Sequence, residues 1–364
     1  MHDIQYKTLV IRFSSVGDIV LSSPLVRALR QLHPQMQVDF LVKETFVELV
    51  RYNPHLSNVF TFPKNGGIGD LLKFRREIRN RRYDMILDIH SSLRSRFLTI
   101  GLHGVRRIRK RVIARTILVR FKRDVYSHFG GAPGVAERYL ETLRSGRGRE
   151  EQETGLELFY PREVGEKMRE QLASAGIVAD AAAIGVCPSA RHFTKIWPAE
   201  RYATVATALA RRWEAPVFLI GSDDDAERCR MIAERIAQES PGTRVMDFSG
   251  HCSLLEAAAL MDACRIILTN DSGLMHIASA RRRPVVAVFG STVRQFGFFP
   301  SGPLQRVVEH PNLSCRPCSH IGRPDCPRKH FRCMLDLSTQ RVLDAANELI
   351  GRDQPPLSAS SSIN

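Results

Sequence analysis

The stretch from residue 266 to 276 constrains this chain more than any other. Ile266, Ile267 and Leu268 form an apolar, partly β-branched run that reads as a buried strand. Asn270 and Asp271 stop it, and Gly273 to Ala280 reads as a helix. A second apolar run, Pro284 to Phe289, follows and ends in Gly290-Ser291-Thr292. A strand that enters a helix through a polar turn and is followed by another strand implies a parallel βαβ unit. Helix starts leave backbone N–H groups unpaired and favour an anion, and Gly273 lets a phosphate approach the backbone closely. Read alone, Asp271 is a helix cap, a common place for Asp.

The same alternation recurs along the chain. In the first half, strands are expected at 7–13, 38–42, 58–62, 84–88 and 105–108. Helices are expected at 19–32, 46–51, 70–81, after Ser95, and at 133–144, with 14–18 a turn. A linker at 158–163 leads into a helix ending near Ala175, and the pattern restarts. Strands are expected at 182–187, 216–220 and 244–246, and helices at 198–212, 226–238, 254–261 and 337–350. The fold class is therefore α/β, with two αβα halves built on parallel sheets. The expected boundaries are 1–157, 158–337, a terminal helix at 338–351 and a disordered tail at 352–364 that carries Pro355-Pro356 and serines. The Gly-, Arg- and Glu-rich segment 145–152 reads as exposed. Ligands bind at the carboxyl ends of such sheets, so Asp18 and Asp271 are expected to face one another across a central cleft.

Length and composition bound the rest. With 364 residues, 43% hydrophobic and 25% charged, the chain suits two globular domains. No apolar run reaches the length of a membrane span, and the start is too interrupted for a signal peptide, so a cytoplasmic location is expected. The net charge of +15 has to meet nucleic acid, an anionic membrane face or phosphorylated substrates. Between Lys73 and Arg123 the basic residues include Arg75, Arg76, Arg79, Arg94, Arg96 and Arg109. Such a run is often a solvated face, but its self-repulsion favours a functional patch.

Several side chains point to chemistry. Asp18 follows Gly17 at a strand–turn–helix junction; it is either a cap or a general base for a hydroxyl nucleophile, and Leu21 denies it a capping box. Lys195 is either a surface lysine or a point charge that neutralises a phosphate. Asp223, Asp224 and Asp225 suit a helix start and also a ribose or base contact. His276 suits either a core position or a ligand contact.

Four motifs together carry a resemblance. Ser14-Ser15-Val16-Gly17-Asp18-Ile19-Val20, Asp88-Ile89-His90-Ser91-Ser92-Leu93-Arg94-Ser95, Lys195-Ile196-Trp197-Pro198 and Asn270-Asp271-Ser272-Gly273-Leu274-Met275-His276 look like the bacterial heptosyltransferases, glycosyltransferase family nine. The resemblance runs from about Lys7 to Ile350. It implies a GT-B architecture: two Rossmann-like domains, with acceptor in the first and donor in the second. It implies an inverting transfer from an ADP-sugar to the lipopolysaccharide inner core, with no catalytic metal or cofactor. The position matching Asp18 is the general base. Lys195, Ser272 and Gly273 hold the donor pyrophosphate, with Asp271 and His276 shaping that loop. Ser14, Ser15, Arg94 and Ser95 serve an anionic glycolipid acceptor, lipid A with its inner core, at the inner face of the inner membrane. The stretch Arg191-His192-Phe193-Thr194 departs from the run of small hydroxyl residues often found before the lysine.

The cluster Cys315, Cys318, Cys326 and Cys333, with His320 and His330 nearby, suggests a structural zinc or reduced loop thiols. Two other functions compete: a nucleotide-sugar enzyme of the same fold, such as an epimerase, and a basic nucleic-acid-binding protein. The first lacks further acid–base candidates, and the second lacks aromatic interleaving in the basic stretch.

Overall fold

The computed structural model describes residues 6–143, 153–177 and 182–351. The expected exposed segment at 145–152 and the expected tail at 352–364 lie outside them. The chain divides into two compact units. One is built on the residues up to Lys110 and the stretch from Pro133 to Phe159, the other on Arg111 to Ala132 and the residues from Tyr160 onward.

In chain order the first unit contributes β1 (Lys7–Ile11), α1 (Val16–Val20), α2 (Ser23–Leu32), β2 (Gln37–Lys43), α3 (Glu48–Arg51), β3 (Asn58–Phe62), α4 (Ile68–Arg81), β4 (Met85–Asp88), α5 (Leu93–Thr99) and β5 (Val105–Arg107). Next come α6 (Val112–Phe121), which belongs to the second unit, and α7 (Val135–Leu140), which returns to the first. The sheet is parallel throughout, in the order β3-β2-β1-β4-β5. Leu9, Ile11, Leu41 and Ile86 pack under Ile78 and Leu98 of the covering helices. Where one helix was expected over 19–32, there are two. Pro24 lacks the N–H that the Val20 carbonyl would accept, and Ser23 Oγ donates to that carbonyl instead at 2.8 Å. Pro24 thus sits in the first turn of α2, where proline is tolerated.

The second unit continues with α8 (Arg162–Ser174), β6 (Ala183–Cys187), α9 (Ala199–Trp213), β7 (Val217–Leu219), α10 (Ala226–Glu239), β8 (Val245–Asp247), α11 (Leu254–Asp262), β9 (Cys264–Asn270), α12 (Gly273–Ala280), β10 (Val285–Phe289), β11 (Gln305–Glu309), α13 (Arg332–Leu335) and α14 (Thr339–Ile350). Its parallel sheet runs β11-β10-β9-β6-β7-β8. Alternate residues Ile184, Val186, Ile266, Leu268, Val286 and Val288 fill one core with Trp197 and Tyr202. The intervening Ile267, Ala287 and Phe289 are equally buried, as a parallel sheet covered on both faces requires. Three elements have no counterpart in the sequence pattern: α6, β11 and the one-turn α13. β11 is a half-covered edge strand with charged or polar ends, and α6 has apolar residues around most of its circumference. Among the described residues no helix is long and apolar enough to cross a membrane.

Candidate functional site

In the second unit the strand order reverses between β6 and β9, the place where open α/β sheets bind ligands. The loop after β6 ends in a 3-10 turn, Phe193–Lys195. Lys195 Nζ lies 2.7 Å from Asp271 Oδ2, and Thr292 Oγ1 donates to the same oxygen at 2.6 Å. Asp271 is therefore not the helix cap. Ser272 holds the N-cap position of α12 with an extended backbone. Asp271 instead aims the lysine and neutralises part of its charge. An ammonium has three donors, so Lys195 keeps capacity for an anion beside the unpaired first-turn amides from Gly273 onward. Thr292 is the residue that sequence reasoning missed here, although its Gly-Ser-Thr turn was noted.

Asn270 locks the two loops together. Its Oδ1 accepts the Trp197 N–H at 3.0 Å and the Tyr202 hydroxyl at 2.9 Å, and its Nδ2 donates to the Pro188 carbonyl at 2.9 Å. All of this is buried, where each polar group left unpaired costs about 1–3 kcal/mol. Gly290 lets the β10 turn close on the lysine loop: a Cβ there would stand 2.7 Å from the Thr194 carbonyl oxygen. Ser291 N donates to that carbonyl at 3.2 Å. Behind the lysine, Phe193 stacks on Phe331 at 4.5 Å between ring centroids, and Arg323 N donates to Thr194 Oγ1 at 2.8 Å. Of the three aspartates at 223–225, Asp225 is committed internally. It accepts from Ser189 Oγ at 2.7 Å and Ser222 Oγ at 2.8 Å, and pairs with Arg228 at 2.8 Å. His276 is a buried residue of α12, its ring 6.4 Å from that of Phe298.

The first unit reverses its strand order between β1 and β4. Asp18 belongs to the first turn of α1 rather than to a turn before it. It is the third helical residue after the N-cap Ser15, and its Oδ2 accepts from Ser15 Oγ at 3.0 Å and Ser15 N at 3.4 Å. Aspartate thus supplies the return half of a capping box that a search for Glu or Gln overlooks. Arg12 Nη2 lies 2.6 Å from the same oxygen, and Arg12 Nη1 donates to the Ile89 carbonyl at 2.9 Å. Tyr139 of α7 donates to Asp18 Oδ1 at 3.3 Å. Burial pushes the Asp18 carboxyl upward, but the Arg12 charge and the Ser15 hydrogen bonds outweigh it and hold the group below its ordinary value. Asp18 is ionised at neutral pH.

The loop after β4 is built around Asp88, which accepts Ser91 N at 2.7 Å and Ser95 Oγ at 3.1 Å. Ser95, expected among the acceptor contacts, is fully buried, and its hydroxyl is spent on Asp88 and the Ser92 N–H. Arg94 and Ser15 are exposed, and Ser14 is half-buried. The basic stretch divides. Arg75 donates to the Phe97 carbonyl, Arg106 to the Leu143 carbonyl and Lys110 to the Ser91 carbonyl. Arg76, Arg79 and Arg94 are exposed.

His90 follows Asp88 and sits edge-on to Phe13. Burial first, then the charges of Arg12 and Lys110, push its pKa from 6.5 down to about 4. Between those values the unfolded chain binds a proton that the native chain refuses, so stability falls as pH drops from 6.5 to about 4. Thermal melts across this range are expected to show that loss, and His90→Gln is expected to flatten it. Equal slopes in the two proteins would remove His90 as the cause.

The cysteine loop braces the lysine turn through Phe331 and Arg323. Cys315 Sγ stands 3.8 Å from His330 Nε2, and burial raises Cys333 to about 12. Among the described residues no group of three or more His, Cys, Asp or Glu side chains is arranged to hold a metal ion.

Comparison with known proteins follows the same lines. Lipopolysaccharide heptosyltransferase 2 of Escherichia coli K12 is 28% identical over 355 residues, which span 96% of this chain and 99% of that protein. The solved structure of the Escherichia coli ADP-heptose lipopolysaccharide heptosyltransferase II is 26% identical, with a TM-score of 0.72 over 94% of this chain and 98% of that one. A family 9 glycosyltransferase from Veillonella parvula superposes with a TM-score of 0.78 at 22% identity, over 94% and 97% of the two chains. Two Rossmann-like units on parallel sheets are the GT-B architecture expected from the sequence. The model of glycosyltransferase family 9 (heptosyltransferase) matches residues 71–326, which take in the lysine turn, the Asp271 loop and the loop after β4. With more than half of its length matched, this chain belongs to glycosyltransferase family 9, the heptosyltransferases.

Proposed function

We propose that the chain transfers a heptose from ADP-heptose to the inner core of lipopolysaccharide, with inversion at the anomeric carbon. The observation that carries this reading is the lysine held by Asp271 and Thr292 beside the first turn of α12, in a member of this family. Lys195 and the amides at Ser272 and Gly273 bind the donor pyrophosphate, while Asp271 positions the lysine and His276 supports the helix behind it. The second unit is thus the donor domain and the first the acceptor domain.

In the transfer, the ionised Asp18 takes the proton of an acceptor hydroxyl. The freed oxygen pair forms the new bond to the anomeric carbon, and the bond from that carbon to the diphosphate oxygen breaks with its electrons. ADP leaves with the added negative charge, which Lys195 and the helix amides stabilise. Ser14, Ser15 and Arg94 contact the acceptor, with Ser95 and Asp88 holding the shape of that loop. Exposed arginines such as Arg76 and Arg79 meet acceptor phosphates. No catalytic metal enters this scheme. A structural zinc at the cysteine loop would stay outside the transfer, and metal analysis of the purified chain reads it directly. The acceptor places the enzyme on the cytoplasmic face of the inner membrane as a peripheral protein.

A panel of nucleotide sugars tests the reading. ADP-heptose is expected to raise the melting temperature and to be consumed in the presence of heptose-deficient lipopolysaccharide. Stabilisation and turnover with a UDP- or GDP-sugar, but not with ADP-heptose, would overturn the donor assignment.

A further inference from the structure

The stretch from Arg111 to Ala132 has no part in the transfer just described. Its helix, α6, packs on the second unit through Ala114 and Leu118, which cluster with Tyr126 and Phe296. The other side of the helix is apolar too. Val112, Ile113 and Phe121 are 46%, 64% and 62% exposed, and Phe129 beyond the helix is 44% exposed. At about 100° per residue, Val112, Ile113, Thr116, Ile117 and Arg120 share one face, with Phe121 at its edge. A helix with apolar residues around most of its circumference is ordinarily buried around most of it, and among the described residues this one leaves Val112, Ile113 and Phe121 to solvent.

Charge surrounds that face. Arg115, Arg120, Lys122 and Arg123 lie in or just beyond the helix, and Asp124 is the sole acidic residue of the stretch. Asp124 is spent on Tyr126 N at 3.0 Å and Gln295 Nε2 at 2.9 Å. Lys122 is spent on the Val119 and Pro317 carbonyls. Arg120 and Arg123 remain exposed beside Phe121.

We propose that this face of α6 is the surface by which the chain docks on an anionic lipid bilayer. Ile113 and Phe121 enter the boundary between head groups and acyl chains, and Arg120 and Arg123 meet lipid phosphates. Exposed aliphatic and aromatic groups beside cations are the pattern of helices that lie in a membrane interface. A second copy of the chain fits poorly, because symmetry would set the same arginines against one another in a protein of net charge +15. The inference rests on the reading that the acceptor is lipid-anchored, and it deepens that reading by naming the docking surface.

Sedimentation with acceptor-free vesicles tests it. The full chain is mixed with phosphatidylglycerol-rich vesicles and with phosphatidylcholine vesicles, as parent, as Ile113→Ser/Phe121→Ser and as Arg120→Gln/Arg123→Gln. The parent is expected to prefer the anionic vesicles. Losing the two apolar side chains should lower partitioning by about tenfold or more at any salt concentration. Losing the two arginines should lower it severalfold, with an effect that fades as salt is raised. Melting curves confirm that each variant is folded; if the double serine variant is not, Phe121→Ser alone replaces it. Parent-like vesicle binding by the folded serine variant overturns the proposal, as does a parent dimer that the serine changes dissolve. Heptose transfer to a deacylated, water-soluble acceptor is followed in the same samples and should be unchanged in every variant. Absence of that transfer in the parent counts against the functional reading, whatever the vesicles show.

Discussion

Asp18→Asn is expected to lower turnover by about 10²–10⁴-fold, the usual cost of losing a general base, and to leave donor affinity unchanged. The substitution keeps the shape of the side chain and removes the charge that, in the proposed transfer, takes the acceptor proton. It also leaves Arg12 without its carboxylate, and breaking a buried pair from one side costs roughly 3–5 kcal/mol. Melting temperature therefore has to be measured beside kcat. A stability defect alone would lower the folded fraction and take apparent donor binding down with it. Loss of the base leaves calorimetric donor binding intact in the folded protein. Near-parental kcat in Asp18→Asn would remove the residue from the chemistry.

The second large effect falls on the donor. Lys195→Ala should weaken binding of the nucleotide-diphosphate sugar by about 1.5–3 kcal/mol, roughly 10- to 150-fold, the range of a charge-assisted contact. Acceptor KM should move little, because the lysine belongs to the donor domain in this reading. The variant leaves Asp271 buried with Thr292 as its remaining partner of the pair, so part of the loss comes from a misplaced carboxylate. Asp271→Asn, which keeps the lysine but loosens its aim, should lie between parent and Lys195→Ala. Unchanged donor affinity in Lys195→Ala would sink the assignment of the pyrophosphate to this loop.

Local pattern made much of the fold legible. The run from 266 to 280 reads as β9 and α12 because its periodicity changes at a polar turn, and the structure begins and ends α12 where the sequence does. Elements without a period were lost. α6 carries apolar residues around most of its circumference, and β11 is an edge strand that pairs with β10. Single residues were legible to the extent that their partners are local. Asp271 looked like a cap because Thr292 and Lys195 meet it only after the sheet has formed. Tyr139 reaches Asp18 from 121 residues away and left no signal near it. Arg12 did leave one: a charge at the end of an apolar strand needs a partner, and Asp18 is that partner.

The most direct measurement is mass spectrometry of heptose-deficient lipopolysaccharide after incubation with ADP-heptose, using the parent protein and Asp18→Asn side by side. The account predicts a gain of one heptose with the parent, in the inverted anomeric configuration by NMR, and almost none with Asp18→Asn over the same time. No gain with the parent, or an equal gain with Asp18→Asn, would contradict it.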